Sequence, residues 1–331
     1  MVVAFVRRRH SHGICLYAVS KQQTKNSNFV HLMELKSFPC DLCGSTKFKV
    51  LQTKKGVMTN LDFPLVRCSC GMMFFNPRLD EKDITELYSG DYYKGKGFDS
   101  NVDYLREMSE TTEEAKKSHP EDALRVINEL MPPPAKVLDF GCGLGGLMKV
   151  FNNAGYHAEG YEISGFGRTF AQKNGFVVYD SLEKIPANAY DIVTAIEVLE
   201  HCHSPLKALQ AIQKSLKPGG WFYYTTENFD DWKELSNDRR DGYMTPEGHI
   251  QFFSTPVMKQ YFKKVGLTPQ EFTRRSYLKS GRLYKFLAGI KLANKEHDVP
   301  QTWLEKTAWH AGNLVGYRFN IKSRPLPPAR K

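Results

Sequence analysis

In Val137-Leu138-Asp139-Phe140-Gly141-Cys142-Gly143-Leu144-Gly145-Gly146, an apolar strand runs straight into a cluster of glycines, with one carboxylate at the strand's end. Glycine has no side chain and adopts positive φ at little cost. Such a turn therefore lets a ligand lie against bare backbone N–H groups at the start of the following helix. A strand, a glycine turn and a helix in that order commit the neighbouring chain to an alternating α/β arrangement.

The residues from Ala135 onward keep to that alternation. Strands are expected at Lys136 to Phe140, Ala158 to Ile163, Phe176 to Tyr179, Tyr190 to Ile196 and Trp221 to Thr226. Helices are expected at Gly145 to Asn153, Gly165 to Asn174, Pro205 to Leu216 and Thr255 to Val265. Alternating β and α units imply a doubly wound, mostly parallel sheet. The near-continuous apolar run from Tyr190 to Ile196 suits a strand buried on both faces. Ligands of such sheets bind beyond the carboxyl ends of the strands.

Gly141, Gly143 and Gly146 satisfy the spacing used by nicotinamide and flavin enzymes as well. Glu162, about twenty residues on, suits a ribose diol in either cofactor class. The downstream segments separate the two. Tyr190 through His201, then Leu216-Lys217-Pro218-Gly219-Gly220-Trp221, taken with Val137 to Gly146 and Gly160-Tyr161-Glu162, closely resemble the class I S-adenosylmethionine-dependent methyltransferases over about residues 120–270. The resemblance implies a Rossmann-like fold with S-adenosyl-L-methionine as cofactor. It also implies that Asp139, Gly141 and Gly143 shape the site for the methionine portion and that Glu162 holds the ribose hydroxyls. Asp180 is placed near the adenine amino group, its alternative being a plain loop acid. Glu197 and Val198 close the pocket.

Cys40-Asp41-Leu42-Cys43-Gly44 is followed, after 24 intervening residues, by Cys68-Ser69-Cys70-Gly71. Two close thiolate pairs suit a tetrahedral, structural Zn2+ with no open position for water. A zinc ribbon ahead of a methyltransferase domain resembles bacterial enzymes that methylate nucleotide-linked sugars, and related polysaccharide and natural-product methyltransferases. Cys142 and Cys202 read as buried or loop cysteines, and the odd total of seven cysteines favours a reducing, cytoplasmic setting over disulfides.

In similar methyltransferases a His-x-x-x-Phe-Ser segment reaches over the substrate site. Gly248-His249-Ile250-Gln251-Phe252-Phe253-Ser254 matches it. His249 is the leading general-base candidate, since neutral imidazole accepts a proton near pH 7; the alternative is a histidine that only hydrogen-bonds its loop. Glu200-His201 and His203 lie just past the fourth strand, with His201 a second base or a helix-start residue. Tyr92, Tyr93 and Tyr243 could orient an acceptor or anchor loops.

The expected organisation is a leader over 1–37, a zinc-ribbon module over 38–79, and a helical linker or substrate cap over 80–131. The cofactor-binding domain follows over 132–272, and a basic C-terminal extension over 273–331. The first 32 residues carry five basic residues and no acid, and read as a mis-called start or an Arg-rich presequence. From Arg274 to Lys331, thirteen Lys/Arg stand against three acids, so this segment alone carries a charge equal to the +10 of the whole chain. It reads either as a solvated surface or as a contact for an anionic partner. Leu283, Phe286, Leu287, Ile290 and Leu292 among basic residues suit a peripheral membrane helix or a packing helix. No apolar run reaches the ~20 residues needed to cross a bilayer.

The leading expectation is methyl transfer to oxygen or carbon of a small, anionic acceptor such as a nucleotide-linked or polysaccharide sugar. An RNA methyltransferase gripping phosphates with ribbon and tail is the alternative. Against it stands the absence of an Asn-Pro-Pro-Tyr-type signature or an interleaved basic–aromatic stripe. A binding module that keeps the pocket without the chemistry is the third reading.

Overall fold

A computed structural model describes residues 33–88, 90–97, 104–105, 119–230, 243–271 and 319–323. The chain divides into two compact units, Met1–Met33 and Glu34–Lys331, and all the described elements lie in the second. Strands β1 (Phe48–Lys55), β2 (Asp62–Cys68) and β3 (Met73–Phe75) lead into helices α1 (Glu81–Leu87) and α2 (His119–Leu130). The α/β part comprises β4 (Lys136–Phe140), α3 (Gly146–Asn153), β5 (His157–Tyr161), α4 (Gly165–Lys173), β6 (Val178–Tyr179) and β7 (Tyr190–Ile196). It continues through α5 (Pro205–Ser215), β8 (Leu216–Thr225), β9 (Gln251–Phe252), α6 (Thr255–Val265), β10 (Leu267–Glu271) and β11 (Phe319–Ser323).

The larger sheet has the order β10-β11-β8-β7-β4-β5-β6. Its five strands from β6 to β8 run parallel, while β11 is antiparallel to both β8 and β10. β4 lies near the middle, and its Val137 and Leu138 have no exposed surface, as expected for a strand covered on both faces. The chain proceeds from β4 to β5 and β6 on one side, then returns to lay β7 on the other. The crevice beyond the carboxyl ends of β4 and β7 is therefore the switch point where such sheets bind ligands.

Local signals explain the helix boundaries. Ser164 and Ser204 cap α4 and α5 by accepting from Gly167 N and Lys207 N, and a proline near the start of α5 and α6 occupies a position whose N–H has no intrahelical partner. α6 buries Val257, Met258, Tyr261, Phe262 and Val265, one stripe at helical spacing, and ends at Gly266 with φ 74°. The β8 strand begins at Leu216 rather than Trp221, because Leu216 already pairs with Tyr190 of β7.

Strand pairing crosses two of the boundaries expected from the sequence. The small antiparallel sheet has the order β1-β2-β3-β9, so residues 251–252 complete the cysteine module's sheet. β11, from the C-terminal extension, completes the large sheet. The cysteine module also shares one hydrophobic core with it: Cys40, Leu42, Val66, Met72 and Phe74 pack in the same cluster as Leu138, Val193, Leu209, Tyr224 and Tyr261. The amphipathic segment around Leu283 to Leu292 lies outside the described residues.

Candidate active site and cysteine cluster

Three backbone features shape the crevice after β4. Gly141, Gly143 and Gly145 take φ of 80°, 53° and 90°, a region costly for other residues. Gly141 N and Cys142 N donate to the Tyr161 carbonyl at 2.8 and 3.0 Å, tying the loop to the end of β5. A Cβ on Gly141 would sit 2.6 Å from Val198 Cγ2, whereas one on Gly143 would find only Tyr93 within 4 Å. The loop is thus pressed against the segment after β7 at one glycine and opens beneath an aromatic ring at the other.

Two buried carboxylates flank this loop. Asp139, at the end of β4, accepts from Thr194 Oγ1 at 2.8 Å. Burial pushes its pKa up to about 7, the Thr194 hydroxyl opposing and Glu162 adding to the shift. Glu162 accepts from Gly143 N at 2.8 Å and Ser164 N at 2.7 Å. Its pKa is also raised by burial, with those two N–H groups pulling it back. Asp180 differs: its side chain is exposed and pairs with Lys184 at 2.8 Å, a bond that lowers its pKa.

A second set of groups gathers beyond β7. Glu197 takes φ 52°, unusual for a residue with a side chain, while its N–H donates to Thr225 O at 3.0 Å. This turn swings the next residues back toward the crevice, and Leu199–His201 form one 3-10 turn. Glu200 is wholly buried; Oε1 accepts from Tyr243 at 2.8 Å and Oε2 has no hydrogen-bond partner. Burial and then the charge of Glu197 push its pKa well up. The His201 and His249 rings lie 4.5 Å apart, and Tyr243 stacks on His249 at 4.0 Å. One ligand atom from each of Glu200, His201 and His249 falls within 4.8 Å of the others.

Both imidazoles are oriented by backbone carbonyls. His201 Nδ1 lies 3.0 Å from Gly248 O, and His249 Nδ1 bonds to Tyr243 O. A carbonyl only accepts, so His249 Nδ1 carries a proton and the lone pair of that ring's neutral form lies at Nε2, whereas His201 Nδ1 lies between the Gly248 carbonyl and the Tyr88 hydroxyl, which can donate or accept. Burial, followed by the neighbouring His249, holds the His201 pKa well below the usual value, so this ring is neutral at physiological pH.

The segment around α1 joins the two sets. Tyr88 OH lies 2.8 Å from His201 Nδ1, and the Tyr88 carbonyl accepts from Ser164 Oγ at 2.8 Å. Tyr93, beside Gly143, stacks on Phe166 at 5.3 Å. Tyr92 and Tyr93 are buried in this wall.

The four sulfurs of Cys40, Cys43, Cys68 and Cys70 also fall within 4.8 Å of one another. Cys40 and Cys70 lie 3.6 Å apart, Cys43 and Cys68 3.4 Å. Burial raises the Cys40 thiol pKa and lifts Cys70 to about 11. At Cys68 burial acts the same way, but the Cys70 N–H and adjacent thiols outweigh it and bring the value to about 7. The sulfur of Cys142 lies in the glycine loop near Gly143 O, and that of Cys202 faces Val198 O.

Several positioning residues carry little sequence signal. Asp41, between two of the cysteines, accepts from Leu206 N at 2.8 Å and Tyr261 OH at 3.1 Å, fixing the cysteine knuckle to the start of α5. Arg78 is buried against the rings of Phe38 and Phe74 and donates to His203 O at 3.1 Å. Glu247 accepts from Val57, Met58 and Thr59 N–H groups at 3.0 to 3.1 Å, clamping the β1–β2 turn two residues before His249. Only Glu200 had a visible cue: a second acid and a histidine interrupting an otherwise apolar strand end.

The strand order, the switch-point crevice and the glycine loop define a Rossmann-like methyltransferase domain. A methyltransferase-domain family model matches residues 111–271. These residues therefore form a methyltransferase domain of the class I S-adenosylmethionine-dependent type. It is 35% identical over 104 residues to the ubiquinone biosynthesis O-methyltransferase of Paraburkholderia xenovorans (strain LB400), covering 28% of this chain and 44% of that protein. Against the enzyme of the same name from Acinetobacter baumannii (strain ACICU), identity is 29% over 181 residues, 50% of this chain and 76% of the relative. The chain thus spans less than half the length of the first of these relatives. A solved S-adenosylmethionine-dependent methyltransferase from Mesorhizobium loti aligns at TM-score 0.43 and 14% identity, covering 62% of this chain and 99% of the other. Among the described residues, no helix is long and apolar enough to cross a membrane.

Proposed function

We propose that the protein transfers a methyl group from S-adenosylmethionine to a hydroxyl oxygen of a small acceptor, with a nucleotide-linked or polysaccharide sugar as the class to test first. The observation that carries this reading is the juxtaposition of an open glycine cradle with a wall of proton acceptors, buried Glu200 and half-buried His201 and His249. When bound, the cofactor supplies a methyl on a positively charged sulfur, which keeps the C–S electron pair as the acceptor oxygen bonds to carbon. Gly141 and Gly143 let the methionine portion approach the backbone, and Asp139 faces its positive charge. That charge favours ionised Asp139, so cofactor binding below pH 7 should release a proton. Glu162 moves from Gly143 N to the ribose hydroxyls, and Asp180 serves the adenine end. Val198 fixes the loop against β7.

His249 takes the acceptor's proton at Nε2 while Tyr243 O holds Nδ1, and His201 is the second acceptor. Names of the relatives above specify transfer to oxygen, which favours oxygen over carbon here. The four cysteines fit a structural zinc: ~2.3 Å Zn–S bonds in a tetrahedron place sulfurs ~3.8 Å apart, close to the 3.4 and 3.6 Å seen.

Calorimetry with S-adenosylmethionine tests the cofactor assignment, and a screen of hydroxylated acceptors with methyl-labelled cofactor tests the reaction. Label should enter a sugar-containing acceptor with wild type and drop at least a hundredfold with His249→Ala. Absence of cofactor binding by the wild type would sink the reading. Labelling of RNA with salt-sensitive binding would replace the acceptor class.

A further inference from the structure

We infer that Glu200, His201 and His249 form a second metal site, taking a first-row divalent cation through one carboxylate and two imidazoles. Three observations converge on it. Ligand atoms of the three residues lie within 4.8 Å of one another, close enough to meet at one ion. Glu200 is fully buried and its Oε2 has no hydrogen-bond partner, an arrangement expensive unless something positive meets it. Both Nδ1 atoms are held by hydrogen-bond partners, that of His249 by Tyr243 O and that of His201 by Gly248 O and Tyr88 OH. Histidines that bind metals through one nitrogen are commonly oriented in this way through the other.

The donor set selects the ion. Two imidazoles and a carboxylate suit Mn2+, Fe2+, Co2+ or Zn2+ better than Ca2+ or Mg2+, which favour all-oxygen sets. It also differs from the thiolate cluster, whose four soft sulfurs close the coordination sphere. Three protein ligands leave positions open, and those positions suit an acceptor oxygen whose hydroxyl the cation would acidify; with the ion bound, the two imidazoles would be ligands rather than bases and the hydroxyl proton would pass to water. This role rests on the methyltransferase reading; the presence of the ion does not. Tyr243 holds Glu200 Oε1 and stacks on His249, so it is a positioning residue for the site.

The test uses the full chain with its thiols saturated by zinc, titrated with Mn2+ alone while paramagnetic resonance reads the free ion. One Mn2+ per chain should bind, and the bound ion should show couplings to imidazole nitrogen. Glu200→Gln and His249→Gln should each weaken binding at least tenfold while zinc content stays at the wild-type level. No stoichiometric Mn2+ in the wild type, bound Mn2+ lacking nitrogen couplings, or affinity unchanged in both variants would overturn the site. The nitrogen couplings are read on the wild type, so they decide for or against the site even where a variant fails to fold. Calorimetry with S-adenosylhomocysteine on the same sample separates the two ideas: cofactor binding without Mn2+ removes only this inference, and Mn2+ without cofactor binding removes only the reaction.

Discussion

The cysteine cluster and the Glu200-His201-His249 cluster are both compact sets of metal-ligating side chains, yet they are built in opposite ways. The cysteines come from two tight knuckles, Cys40 to Cys43 and Cys68 to Cys70, each closed by a glycine with positive φ, Gly44 and Gly71. All four side chains are alike, and they lie where the module joins the large core. The second cluster joins a 3-10 turn after β7 to a loop 48 residues further on, which is itself clamped by Glu247 to a hairpin from the start of the chain. A closed, uniform set suits holding a fold together. An open, mixed set at a switch-point crevice suits chemistry.

The largest effect that could break this contrast is expected at the thiolates. Cys43→Ser should remove zinc and lower the thermal transition by ~10 °C or more, because metal binding there is folding free energy shared with the main core. Full zinc occupancy by elemental analysis would show that the cluster is not a metal site. Next comes the cradle. Gly143→Val forces a β-branched residue to φ near 53° and places it beneath Tyr93, so cofactor affinity should fall at least a hundredfold in calorimetry. Unchanged affinity would move the cofactor elsewhere.

A smaller effect sharpens the second cluster. Tyr243→Phe strips Glu200 of its Oε1 donor, leaving the buried carboxyl without a hydroxyl partner. A loss of about 1–3 kcal/mol in a denaturant titration is expected, with zinc content unchanged. Asp139 gives a pH signature. Its folded pKa of about 7 lies above its ordinary value, so the folded state holds the proton more tightly than the unfolded chain. Its contribution to stability is full below pH ~4 and is lost as pH rises through 7. Asp139→Asn should flatten that fall between pH 4 and 7, and an unaltered profile would mean that Asp139 is ionised in the fold. The smallest effect belongs to the exposed Asp180–Lys184 pair: Lys184→Ala should leave the unfolding midpoint within experimental error.

The differences in legibility follow the same contrast. The cysteine cluster and the glycine loop were readable because their geometry is local: short spacings and glycines at turns encode it within a few residues. The extents of β4 and β7 were readable from apolar runs. Asp41, Arg78 and Glu247 were not, since each acts on a backbone group more than a hundred residues away. Nor did any local pattern mark residues 251–252 as the edge strand of the small sheet or 319–323 as an inner strand of the large one, because a two- or five-residue strand takes its identity from its partners.

By itself the amino-acid sequence determined the alternating α/β order, the bare turn after β4, the paired acids Asp139 and Glu162, and the four-thiol set. Each depends on residues close together in the chain, where steric freedom, periodicity and spacing act directly. Tertiary structure alone decided that the cysteine module shares the main core, that Glu200 is buried with one oxygen unmatched, and that His201 meets His249. These are properties of packing, in which burial and distance between remote segments set both charge and proximity, and no local pattern records them.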